Sequence, residues 1–148
     1  MGLDMFLSAA KNVSDTQQSK LLKSVGLSRE DLCDDRPHVE VKVTVAYWRK
    51  ANAIHSWFVE NCQDGEDNCQ SSYVDPLQLG ELMEACKAVV GDNKKAKTML
   101  PTKNGFFFGG TEYDSSYFDE IAKTALTLEK ILNNPSFKEC SFEYRASW

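Results

Sequence analysis

Hydrophobic and polar positions change period several times along the chain, and each change marks an element. The opening Leu3-Asp4-Met5-Phe6-Leu7 is a short apolar run that suits a strand, with Asp4 as its one carboxylate. After Asn12 polar residues take over. Ser14 or Asp15 caps a short helix whose apolar residues Leu21, Leu22 and Val25 end at Gly26, a good left-handed terminator, and Ser28 to Cys33 adds a further helical turn. Pro37 breaks any helix before the clearest strand signal, where Val39, Val41, Val43 and Val45 alternate with Glu40, Lys42 and Thr44 and predict a strand with one buried face. From Tyr47 the period moves towards that of a helix running to about Asn61. A loop rich in Asp, Asn, Gln and Ser follows. Asp75-Pro76, with Gln78 completing a capping box, starts a helix whose apolar face is Leu79, Leu82, Met83, Cys86, Val89 and Val90 and whose end is Gly91. Gly105-Phe106-Phe107-Phe108-Gly109-Gly110 reads as a short strand bounded by glycines. Asp114 to Ser116 caps a last long helix with Phe118, Ile121, Ala122, Ala125, Leu128 and Leu132 inward, stopped by Asn133-Asn134-Pro135. From Cys140 to Ala146 the alternation is again that of a strand.

These elements intermix without a regular βαβ rhythm, a fixed-period repeat or a Pro/Ser-rich linker. They predict one α+β domain over residues 1–148, a small, mostly antiparallel sheet packed by three to four helices. With 148 residues, 42% of them hydrophobic, the chain can bury a core without disulfides or metals. No apolar run approaches the roughly 20 residues of a membrane-spanning helix, and the N-terminus lacks the basic and apolar regions of a secretion signal. A cytoplasmic protein with no membrane partner is expected. Gly2 opens a myristoylation pattern, but Phe6 stands where that pattern needs Ser or Thr.

A net charge of −5 sets the general field against nucleic acid as a partner. Lys94, Lys95 and Lys97 form a local basic patch without interleaved aromatics and read as a solvated turn. The five cysteines are odd in number and contain no Cys-x-x-Cys pair, so free thiols are expected rather than a disulfide framework or a zinc ribbon. Cys62 and Cys69 bracket an acidic loop, Gln63 to Asn68, whose spacing fits neither a calcium loop nor a zinc knuckle. No cofactor or metal fingerprint and no catalytic signature is present.

Two segments carry chemistry. In the helix predicted from Tyr47, residues Tyr47, Ala51, Ile54, Phe58 and Cys62 form the core stripe, and Trp48, Asn52, His55 and Val59 the adjoining one. An indole, an amide and an imidazole then meet at the border of the buried face, where polar groups bond either to the protein itself or to a ligand. In the ligand reading Trp48 stacks, Asn52 and His55 hydrogen-bond, and Arg49 or Lys50 meets a phosphate. In the structural reading His55 and Asn52 satisfy backbone groups. The second segment, Leu100 to Asp114, runs from an aromatic strand through Gly109-Gly110-Thr111 to a helix start, a geometry that presents amides to an anion, although neither a Walker loop nor a dinucleotide fingerprint is present. Glu112 and Asp114 suit ribose hydroxyls, a cation or an arginine better than a phosphate. The candidate ligand-binding residues are therefore Trp48, Arg49, Asn52, His55, Thr102, Lys103, Gly109, Gly110, Thr111, Glu112 and Tyr113. Sequence spacing leaves open whether the two segments face each other.

The stretches MGLDMFL (residues 1–7), YWRKANAIH (47–55) and GFFFGGTEYD (105–114) together resemble a family of small, mostly uncharacterised bacteriophage and prophage proteins. The resemblance spans most of the chain and implies a role in the cytosol of an infected bacterium, without implying any catalytic residues. Taken together with the two aromatic segments, it gives as the first reading a protein that holds a nucleotide-like small molecule, such as a host immune signal, between the Trp48 segment and the Gly109-Gly110 turn. An alternative is an inhibitor that docks on a host defence protein through its acidic surface. A third reading is a hydrolase-like enzyme with His55 as base and Asp4, Glu112 or Asp114 as its partner.

Overall fold

The computed structural model describes residues 2–32 and 38–148. Its elements are β1 (Asp4–Asn12), α1 (Asp15–Ser24), β2 (Glu40–Arg49), α2 (Asn52–Cys62), β3 (Ser71–Val74), α3 (Pro76–Gly91), α4 (Ala96–Met99), α5 (Ser115–Asn133) and β4 (Ser141–Ser147). Single 3-10 turns lie at Arg29–Asp31, Asn93–Lys95 and Pro135–Phe137. The expected helix break at Pro37 and the thiol of Cys33 lie outside the described residues. The four strands form one antiparallel sheet in the order β2-β1-β4-β3, so the fold is α+β as the sequence predicts.

The predicted caps hold. Asp75 accepts from the Leu77 N–H (2.7 Å) and Gln78 accepts from the Asp75 N–H (2.9 Å), completing the box at the start of α3. Asp114 accepts from the Tyr117 N–H (3.0 Å) and starts α5. Residues that alternate along the sheet, Met5, Leu7, Trp48, Phe142 and Tyr144, meet Ile54, Phe58, Leu79, Leu82, Ile121 and Leu128 from the helices in one core. Phe58 and Tyr144 stack at 4.0 Å and fix α2 on β4. Val25 and Val90, predicted inward, are exposed, because each stands at the end of its helix beyond the covered stripe.

Three expectations about the sheet are corrected. First, the strand that begins with the valines continues through Tyr47 and Trp48 to Arg49, and the helix begins only at Asn52. Trp48 pairs with Met5 and Tyr47 with Phe6 on β1, and this pairing outweighs a helical stripe that Ala51, Ile54, Phe58 and Cys62 satisfy without them. Second, Val41 and Val43 are 42% and 49% exposed. The register slips between Leu7–Ala46 and Ser8–Thr44, which leaves Val45 as the extra residue of a bulge. Ala46 and Trp48 therefore take over the inward face in place of Val45 and Tyr47. The valine end of β2 is left beside an open groove of about 530 Å³ shared with Leu21 of α1. Third, residues 105–110 are a turn and not a strand. Phe108 N–H bonds back to Gly105 O (3.1 Å), Phe106 is 96% exposed and Phe108 points into the core. A single ladder-like bond, Leu3 N–H to Phe107 O (3.0 Å), ties this turn to the start of β1. The short β3 falls where the sequence reads as loop.

Candidate functional site

The two segments do meet. β2 ends in a corner at Lys50, a non-glycine residue in the left-handed region (φ 58), held by Lys50 N–H to Leu3 O (2.8 Å) and by Asn52 N–H to Lys50 O (2.9 Å). The chain then enters α2, and Asn52 in its first turn reaches across to the distant loop. Its Nδ2 donates to Phe108 O (3.1 Å) and Gly110 O (2.8 Å), while its Oδ1 accepts from Lys103 N–H (2.9 Å). One buried amide thus anchors both limbs of the loop. Gly109 rides directly on the corner: it has φ +88, and a Cβ there would stand 3.1 Å from Lys50 Cβ, so a glycine is needed for both conformation and space. The loop closes on itself through Thr102 Oγ1–H to Thr111 O (3.0 Å) and Thr102 N–H to Tyr113 Oη (3.1 Å).

Between corner, loop and the first turns of α5 lies a cleft of about 310 Å³. Arg49 and Lys50 stand on the strand side, and Glu112, Asp114 and Glu120 on the loop and helix side. The nearly buried Ala51, Ala53, Ile54 and Ile121 close its floor, the half-buried Tyr117 supplies apolar surface, and Thr102, Ser116, Asn52, Gly109 and Gly110 add polar edges. None of the five charged side chains makes an ion pair with a described residue. Burial holds the Glu120 carboxyl above the ordinary glutamate range, with Lys123 pulling it back. Burial likewise pushes the phenol of Tyr117 up, and its O–H donates to Leu100 O (2.7 Å), so the ring is fixed at the cleft wall.

A carboxyl whose folded-state pKa is raised favours the protonated folded form. Its contribution to stability is full below the ordinary value of 4.5 and is lost as pH rises through the raised value. Glu120→Gln is therefore expected to raise the thermal midpoint at neutral pH, by a margin that disappears in acid. Midpoints of the two proteins measured across that range check this, and a margin that persists unchanged in acid would contradict it.

Of the predicted site residues, Arg49, Asn52, Thr102, Gly109, Gly110 and Glu112 line the cleft. Trp48 does not. It lies in the core at 4% exposure and its Nε1–H donates to Thr124 Oγ1 of α5 (2.8 Å), so it offers no stacking face. His55 is also withdrawn, at 1% exposure, with Nδ1 2.7 Å from Tyr144 Oη and Nε2 3.0 Å from Asp67 Oδ2. A carboxylate only accepts, so Nε2 carries a proton towards Asp67, while Tyr144 Oη, which can donate or accept, is the hydrogen-bond partner of Nδ1. The partners of His55 are thus Tyr144 and Asp67, not Asp4, Glu112 or Asp114. Lys103, Thr111 and Tyr113 build the loop rather than line the cleft, and Asn52 spends its amide on the backbone. Lys50, read as the alternative phosphate partner to Arg49, lines the cleft too, and Ser116, Tyr117, Glu120 and Ile121 line it without having been predicted as ligand residues. The spacing of Tyr117, Glu120 and Ile121 on one face of α5, just after the glycine turn, was the available signal.

Elsewhere burial pushes the Cys62 and Cys86 thiols up to about 11 and about 12, which keeps them protonated at neutral pH. Among the described residues no group of His, Cys, Asp and Glu is arranged to hold a metal ion, and no helix is long and apolar enough to cross a membrane. Comparison of the chain with protein-family models, with curated proteins and with solved structures finds no match, so the case for function rests on the cleft itself.

Proposed function

We propose that this is a phage-type protein of the infected cell's cytosol that binds a small nucleotide-like molecule in the cleft and sequesters it, as would befit removal of a host immune signal. The observation that carries the reading is the set of unpaired charges of both signs around one partly apolar cleft. Arg49 and Lys50 suit a phosphate, Glu112 and Asp114 suit ribose hydroxyls, and the half-buried Tyr117 ring suits the face of a base. The volume falls at the lower end of the roughly 300–1,000 Å³ typical of ligand pockets, a match for one nucleotide unit rather than a long chain. Because Asn52 and Gly109 set the loop before any ligand arrives, little ordering would oppose binding. Nothing in this reading asks for a catalytic residue.

Native mass spectrometry of protein purified from phage-infected bacteria tests it. The expected result is a nucleotide-sized mass retained by the wild type and lost on denaturation. Arg49→Ala is expected to lower affinity for that molecule at least about tenfold, as loss of a charge-assisted contact does. A bare chain, or an affinity unchanged by Arg49→Ala, would refute the assignment.

A second reading, docking on a host defence protein, draws on the net charge of −5 and on the exposed Asp64 and Glu66 in the loop after α2. Asp67, the third acid of that loop, is bound to His55 instead. Reversal of charge at Asp64 and Glu66 should then weaken a salt-sensitive complex, and recovery of a host protein in the same mass measurement would favour this reading.

A further inference from the structure

We infer that β2 is a self-pairing edge, and that two copies of this chain join through antiparallel β2 strands into a continuous eight-stranded sheet. β2 is long, with all ten residues from Glu40 to Arg49, and it is the outer strand of the sheet. Among the described residues nothing pairs with its free side. Edge strands of this length usually carry a device against association; β2 has a bulge at Val45 and a lysine, Lys42, on its outward face, but no inward charge and no proline between Glu40 and Arg49. The inward face instead shows Val41 and Val43 to solvent next to the apolar groove.

The sequence of the strand selects a second copy as the occupant. In a two-fold antiparallel pair, whatever residue i meets, its equivalent must meet in return. Centring the pair between Thr44 and Val45 sets Glu40 opposite Arg49 of the other copy, twice. Neither residue has an ionic partner among the described residues of its own chain, and in the pair Arg49 lies between Glu40 of the second copy and the cleft, where Lys50 remains as a cation without an ionic partner among the described residues. The same register keeps faces matched despite the bulge. Val41 meets Trp48 and Val43 meets Ala46 on the inward side, while Lys42 meets Tyr47 on the outward side. The two bulges fall together at the axis, so each straight half of one strand pairs with a straight half of the other. A pair centred on Lys42 would instead oppose lysine to lysine. In the chosen register Trp48 and Ala46 of the second copy come alongside Val41 and Val43 and continue their apolar face.

Sedimentation or light scattering of the purified chain over a range of concentrations tests the pairing. A dimer at micromolar concentration is expected. Glu40→Arg and Arg49→Glu should each weaken it by roughly tenfold or more, since each sets like charges opposite one another twice, and the double variant should regain most of the loss. Val43→Lys, at an exposed position, should leave circular dichroism unchanged and yield a monomer. A wild-type monomer at every concentration, a dimer indifferent to Val43→Lys, or a double variant no better than the singles would each overturn the proposal.

Discussion

Asn52→Ala is expected to cost about 2–4 kcal/mol of stability and to release the loop over residues 102–113. The substitution strips partners from Phe108 O, Gly110 O and Lys103 N–H at once, in a position where Asn52 itself is only 4% exposed. Water can reach the Gly110 end through the cleft, which sets the lower end of the range. Phe108 O is buried beside the core and has no such relief. Asn52→Asp should fare no better: it keeps the acceptor for Lys103 but turns a carboxylate oxygen towards two carbonyl oxygens. Denaturant midpoints give the energy, and hydrogen exchange gives the mechanism. The Lys103 amide, protected by Asn52 Oδ1, should exchange at the rate of an open loop, and the Leu3 amide should follow because its acceptor is Phe107 O. Retained protection at Lys103 would mean that the loop holds its shape without Asn52.

The second large effect is at His55. His55→Ala is expected to destabilise by about 3–4 kcal/mol, combining a cavity with the loss of both ring hydrogen bonds. The ring is enclosed by Phe108 at 5.0 Å, Trp148 at 5.8 Å and Tyr144 at 6.2 Å between centroids. Tyr144→Phe removes one of the same bonds without the cavity and should cost about 1 kcal/mol, leaving the shape of the core alone. If His55 were instead an active-site base waiting for substrate, its removal would abolish turnover with little loss of stability. Urea unfolding of both variants and their double mutant separates the cases, because a shared hydrogen bond makes the two losses less than additive.

The sequence disclosed most where local chemistry decides structure. The box at Asp75, the cap at Asp114, the stop at Gly26 and the closing strand each need only a few neighbouring residues, and each stands where it was expected. It disclosed less where a distant partner decides. Tyr47 and Trp48 continue a helical pattern in one dimension, yet β1 claims them for the sheet. Gly105 to Gly110 has the aromatic content of a strand but closes on itself, Phe108 N–H bonding to Gly105 O, and meets β1 through the single bond from Leu3 N–H to Phe107 O. The cleft was half legible. Arg49, Thr102, Gly109, Gly110 and Glu112 were named from the right two segments, while the contribution of α5 was not, because a helix read for its core stripe hides the residues at its flank. Trp48, Asn52 and His55 show the same limit from the other side. Polar tips at a buried border satisfy the protein's own groups here, and only coordinates distinguish that from waiting for a ligand.

The placement of β1 bears on how the chain reaches this shape. It sits at the middle of the sheet, with one neighbour, β2, supplied from residues 40–49 and the other, β4, from residues 141–147. Asp4 faces Ser147. During synthesis β1 therefore leaves the ribosome before both of its neighbours and waits with one side unpaired until β4 has been made. Pairing over so great a separation is slow, and an apolar strand such as Leu3 to Leu7 is open to wrong partners in the meantime. β2, by contrast, arrives early and can shield one flank as a hairpin-like pair, so that the last event of folding is the insertion of β4 between β1 and β3.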